Sequence, residues 1–126
     1  MDLLDTPMKD FDALLAGNMT PDGFVRLNEI NTALYFAGEL LRTRGKNDTP
    51  MLGWVYKQES EAAASALESV AMRYKETGRF GWSGGERKAL EDMSAALRQI
   101  IPALTRGELI EVLDEAADLV EQGMAA

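Results

Sequence analysis

The sequence predicts an all-α domain, a helical bundle of four long helices preceded by a short N-terminal one. Three observations carry this. Apolar residues recur at steps of three and four along four long stretches, which is the period of one helix face. Start and stop residues bracket those stretches. No run of alternating β-branched residues competes with them. The 126 residues fit a single domain, residues 1–126, with no linker, repeat or low-complexity segment.

The start signals come first. Thr6-Pro7, Thr20-Pro21 and Thr49-Pro50 each place a capping hydroxyl before a proline at the first helical position. Ser83-Gly84-Gly85-Glu86 and Thr105-Arg106-Gly107-Glu108 have the form of a capping box, in which hydroxyl and carboxylate each satisfy a backbone N–H that the helix leaves orphaned. Gly17, Gly45 and Gly78 stand where C-terminal caps belong, and Pro102 interrupts the helix before it. Helices are therefore predicted near residues 7–16, 21–44, 50–77, 84–101 and 106–122.

The apolar stripes define the expected core. Leu27, Ile30, Leu34, Ala37 and Leu41 form one stripe, and Leu52, Tyr56, Ala63, Leu67, Val70 and Tyr74 a second. Leu90, Met93, Leu97, Ile100 and Ile101 form a third. The last helix offers two adjacent stripes, Leu109, Val112, Ala116, Leu119 and Ile110, Leu113, Ala117, Val120. Short connections between long amphipathic helices favour antiparallel packing.

Composition limits function. Histidine and cysteine are both absent, which removes the commonest general base, the thiolate nucleophile and the usual soft metal ligands. No catalytic residue, metal or cofactor is predicted. No apolar run reaches the roughly 18 residues of a membrane span, and the acidic start Met1-Asp2-Leu3-Leu4-Asp5 lacks the basic flank of a signal peptide, so cytoplasm is the expected compartment. The net charge of −8 disfavours nucleic acid as a partner. It is unevenly spread: six acids and no base lie in 107–126, whereas five bases and two acids lie in 73–88.

Three constellations invite a chemical reading. The string Trp82-Ser83-Gly84-Gly85-Glu86-Arg87-Lys88-Ala89-Leu90 resembles the signature loop of ABC-type and SMC-type ATPases, where a Ser-Gly-Gly turn at a helix N-terminus meets a nucleotide phosphate. The sequence has no G-x-x-x-x-G-K-[ST] loop to go with it, and residues 109–115, loosely like a Walker B strand, have helical periodicity. Ser83 is accordingly read as a cap. The second constellation is Glu108, Glu111, Glu115, Asp118 and Gln122, recurring at steps of three and four along one face of the last helix. The Glu115-x-x-Asp118 pair is similar to the Mg²⁺-binding pairs of all-helical nucleoside triphosphate pyrophosphohydrolases, which implies a Mg²⁺-dependent nucleotide hydrolase as an alternative function. Those carboxylates lie opposite the apolar stripes, however, and point away from a bundle core. The third is the interleaving of bases and aromatics from Arg73 to Lys88, a pattern able to contact phosphates and bases; the overall charge favours packing of Phe80 and Trp82 instead.

Some apolar residues fall outside the stripes. Trp54 and Met72 share the side of their helix that carries Glu61, Ser65 and Glu68, and Tyr35 sits among Asn28, Asn31, Glu39 and Arg42. Exposed aromatics mark contacts with other proteins. Tyr35, Trp54, Met72, Glu111, Glu115 and Asp118 are thus the candidate interface residues. The expected function is a non-enzymatic interaction module (a small adaptor, inhibitor or regulator, of a kind common in bacteria) that binds a protein partner or a second copy of itself. An acidic mimic of nucleic acid is a further alternative.

Overall fold

The computed structural model describes residues 9–10, 12–14, 16–44 and 49–125, with side chains at 44, 49–52 and 123–125 excepted. Four long helices are present: α1 (Pro21–Arg44), α2 (Thr49–Thr77), α3 (Gly84–Ile100) and α4 (Arg106–Ala125). Helical residues before Gly17 precede them, and no strand occurs among the described residues. The all-α bundle expected from the sequence is what forms. The start signal Thr6-Pro7, the stop signal Gly45 and the side chains of Thr49, Pro50 and Leu52 lie outside the described residues.

Local chemistry explains most boundaries. Thr20 Oγ1 accepts a hydrogen bond from Gly23 N at 3.1 Å and caps α1. Ser83 and Glu86 form a complete capping box at α3. Thr105 and Glu108 form another at α4, with bonds of 2.9 and 3.1 Å. Gly17 and Gly78 take φ of +79° and +74°, the left-handed conformation that closes a helix C-terminus. Pro102 has no N–H to continue α3, which stops at Ile100 and tightens into a 3₁₀ turn over Ile101–Ala103.

The helices pack antiparallel. Helix α1 is central: it lies against α2 on one flank and α4 on the other, while α3 packs on α2 and closes the core beneath α1. The predicted stripes of α1, α2 and α3 are buried, including Leu27, Leu34, Leu67, Val70, Leu90 and Met93. The last helix departs from expectation. Val112 and Ala116 are buried and Leu109 and Leu113 pack partly against the core, but Ile110 and Leu119 are 49 % and 51 % exposed. Helix α4 leans mainly on α1, and each of its two expected stripes keeps one exposed member, Leu119 in the first and Ile110 in the second, while Leu113, Ala117 and Val120 are half-buried.

The α1–α2 contact is unusually close. A Cβ added at Gly38 would lie 2.8 Å from the Gly53 carbonyl oxygen; one added at Gly53 would overlap the Gly38 carbonyl oxygen and stand 2.7 Å from Arg42 N. Backbone meets backbone here, and only glycine fits on either side. Two turns away Asn31 Nδ2 donates to Ser60 O at 3.0 Å and Ser60 Oγ donates to Asn31 O at 2.8 Å, a reciprocal buried pair that fixes the register. The N-terminal segment is held by a bidentate Arg26–Asp10 ion pair and by Trp82 Nε1, which donates to Leu14 O at 3.1 Å.

Candidate functional site

The close α1–α2 crossing assembles a polar and aromatic cluster at its outer edge. Gly53 is followed by Trp54 and, one turn on, by Lys57; Gly38 is flanked by Tyr35, Glu39 and Arg42. Lys57 Nζ lies 4.7 Å from the Trp54 ring centroid and 5.0 Å from that of Tyr35, and donates to Glu39 Oε2 at 2.7 Å. Its side chain is only 12 % exposed. The Arg42 guanidinium lies 5.2 Å from the Trp54 ring centroid and also grips Glu39. Hydrogen bonds from Arg42 and then from Lys57 hold the Glu39 carboxyl down at about 2, against an ordinary 4.5. One carboxylate therefore anchors two cations, and the cations hold Trp54 upright with 52 % of its surface in solvent.

On the other side of Glu39 lies a groove between α1 and α4. Phe36, Leu40 and Val112 line it together with Glu39, Thr43, Glu111 and Glu115, around a volume of about 160 Å³. Leu119 continues the Glu111–Glu115 side of α4, one turn beyond Glu115. Three helices thus contribute to one surface, from Trp54 on α2, across Tyr35 and Glu39 on α1, to Glu111 and Glu115 on α4.

This surface gathers some candidate residues and not others. Tyr35 is half-buried, its ring edge-on to Phe36 at 6.0 Å. Trp54, Glu111 and Glu115 are exposed around the same groove and cluster. Asp118 is exposed farther along α4. Met72 is 57 % exposed but 18 residues from Trp54 on a straight helix, about 27 Å away. Glu61, Ser65 and Glu68, all exposed, fill the interval, so Trp54 and Met72 are separate spots and not one apolar strip. Lys57 and the glycine pair were not singled out in the sequence. Paired glycines inside two facing amphipathic helices are the signal for them, because an interior glycine costs about 1 kcal/mol unless packing requires it.

The basic-aromatic turn is built for packing. Phe80 stacks between Tyr74 and Phe24, with centroids 4.0 and 5.1 Å away. Arg73 chelates Glu86 at 2.9 and 3.0 Å and donates to Gly81 O at 2.7 Å. Arg87 lies over Trp82 and pairs with Glu91, and Lys88 pairs with Asp92. The Glu86 carboxylate takes the Ser83 N–H at 2.7 Å, the position a phosphate oxygen would need. The likeness to an ATPase signature loop is thereby accounted for as a helix cap. Among the described residues no three acidic side chains come together in a geometry able to hold a metal ion. Glu59 is pushed up by burial and then by Asp92, with Lys88 acting the other way.

No family model, curated protein or solved structure matches the chain.

Proposed function

We propose that this domain is a non-enzymatic protein-interaction module of the adaptor, inhibitor or regulator type. It engages its partner through the surface that runs from Trp54 to Glu115. The observation that carries this reading is Trp54: a large aromatic, half in water, braced by Arg42 and Lys57 and placed beside a groove of mixed polar and apolar lining. An indole held in one orientation loses little entropy on contact, which is why Trp, with Tyr and Arg, dominates binding hot spots. Supporting it are the absence of His and Cys and the acids of α4, which flank a groove instead of converging on one point.

The partner is a different, basic protein. A two-fold contact through the outer face of α2 would set Glu61 and Glu68 of one copy against the same residues of the other, and contact through α4 would do so with Glu111, Glu115 and Asp118. Like charges facing one another oppose such a dimer. The test is affinity capture from the native host with wild-type domain and with Trp54→Ala, quantified by mass spectrometry. One stoichiometric protein retained by the wild type and depleted with the variant is expected; equal recovery on both removes Trp54 from the interface.

A further inference from the structure

At the end of the α1–α2 pair away from the glycine crossing, Phe80 stacks between Phe24 of α1 and Tyr74 of α2. Phe24 lies 14 residues before Gly38, about 21 Å along the helix. Beside this stack is a cleft of about 280 Å³, lined by Pro21, Phe24, Val25, Ala71, Tyr74 and Phe80. Lys75 adds its carbon stem, and the lining carries almost no polar surface, unlike the mixed groove beside Glu39. The volume is near the lower end of the range for small-molecule sites, about 300–1,000 Å³, which are mostly apolar with a few polar groups that orient the ligand. The rim is cationic although the chain carries a net charge of −8. Three bases of this turn are satisfied, Arg73 by Glu86, Arg87 by Glu91 and Lys88 by Asp92. The side chains of Lys75 and Arg79 have no ion pair among the described residues. Arg79 lines an adjoining hollow that shares Pro21, Tyr74 and Phe80 with the cleft. The neighbouring acids Asp22 and Glu76 act on Arg26 and Arg73. Helix α1 begins and α2 ends here, so their dipoles oppose one another and the two cations set the sign of the rim.

We propose that this cleft binds a small apolar monocarboxylate, a molecule with a hydrocarbon body and one acidic head. The body lies on the lining formed by Phe24, Val25, Ala71 and Phe80. The head stays at the rim, where the Lys75 ammonium and the Arg79 guanidinium reach it on long stems. Each half of the ligand answers a separate feature of the site. A purely polar anion would leave the apolar lining in water. A neutral hydrocarbon would cover the lining and leave both cations unanswered. A cationic amphiphile would meet two like charges. Ala71 lies 17 residues beyond Trp54 on α2, about 26 Å along the helix. The cleft is therefore separate from the interaction surface, and this assignment does not rest on the reading of Trp54.

The test titrates the full chain with octanoate, octanol, octyltrimethylammonium and acetate, each at concentrations where it is monomeric, and follows backbone amides by NMR. Octanoate is expected to bind saturably, with shifts centred on Val25, Ala71, Lys75 and Phe80. It should bind at least about tenfold more tightly than octyltrimethylammonium. Acetate, which lacks the tail, should not bind. The double variant Lys75→Gln/Arg79→Gln changes two exposed residues; it should weaken octanoate about fivefold or more and leave octanol unchanged. Ala71→Leu fills the cleft and should weaken octanoate and octanol alike, about tenfold or more. Val25→Glu sets a carboxylate in the lining, should weaken octanoate at least as much, and serves in its place if Ala71→Leu does not fold. Equal affinity for octanoate and octyltrimethylammonium would overturn the proposal. So would binding of neither, shifts centred elsewhere, or variants that bind octanoate as the wild type does. Trp54→Ala should bind octanoate normally; loss in that variant would move the probe to the interaction surface and equally overturn the cleft.

Discussion

The two flanks of α1 are built on opposite plans. Against α2 the helix is pressed backbone to backbone at Gly38 and Gly53, keyed by the Asn31–Ser60 pair, and sealed at the edge by the Tyr35–Lys57–Trp54 stack. Against α4 it is held apart by side chains, and a groove remains. The glycine crossing leaves nothing for another molecule to enter. The open flank leaves Phe36 and Leu40 half-covered and Leu119 exposed. Close packing is concentrated between α1 and α2, and the exposed surface runs from Trp54 at the outer edge of that flank to the α1–α4 groove, with Glu39 standing where the two meet.

Substitution at the tight flank should have the largest effect. Gly53→Leu must drive α1 and α2 apart, since the obstacle is the backbone of Gly38 and Arg42; a loss of about 3 kcal/mol or more in denaturant unfolding is expected. Helix propensity by itself predicts the reverse sign, a gain of up to about 1 kcal/mol. A stabilised variant would therefore refute the close crossing. On the open flank Leu113→Ala should cost only about 1–2 kcal/mol, since Leu113 is half-buried, whereas Leu97→Ala in the closed core should cost about 2–4 kcal/mol. Equal losses would erase the contrast between core and flank. Ser83→Ala, which removes the hydroxyl of the α3 capping box, should cost about 1 kcal/mol by the same measurement.

Acid distinguishes the flanks with a smaller signal. Because Glu39 sits below its ordinary value, its contribution to stability is complete above about 4.5 and is lost as pH falls toward 2. Glu29, on the α4 side, is shifted the other way, first by burial and then by Glu121. Its contribution is complete below the ordinary value and is lost as pH rises through the elevated one. Carboxyl carbon shifts followed by NMR should show Glu39 titrating near 2 and Glu29 above 4.5. Glu39 titrating near 4.5 would mean that the clamp on Trp54 is not formed in solution.

Much of the bundle was legible because its determinants are local. The stripe Leu27–Ile30–Leu34–Ala37–Leu41, the Ser83 and Thr105 capping boxes and the stops at Gly17 and Gly78 each lie within a few residues of chain and act there. Exposure of Trp54 and Met72 was legible for the same reason, as a mismatch with one helix's stripe. What the sequence hid depends on which helices meet. Lys57 gains its meaning only when Tyr35 and Glu39 arrive from α1. Ile110 and Leu119 read as stripe members of α4 and stand exposed because α1 is the main neighbour of that helix. Glu111 and Trp54 lie 57 residues apart in sequence, and only the central position of α1 puts them on one surface.

The central claim is that Trp54 belongs to an interface and not to the core, and one paired measurement tests it most directly. Trp54→Ala is unfolded in denaturant and titrated against the captured host partner in parallel with the wild type. Loss of the two cation–aromatic contacts should lower stability by at most about 1 kcal/mol, while loss of the indole from a contact surface should weaken partner binding about thirtyfold, or about 2 kcal/mol. A variant that binds its partner as the wild type does, but unfolds several kcal/mol more easily, would contradict the account.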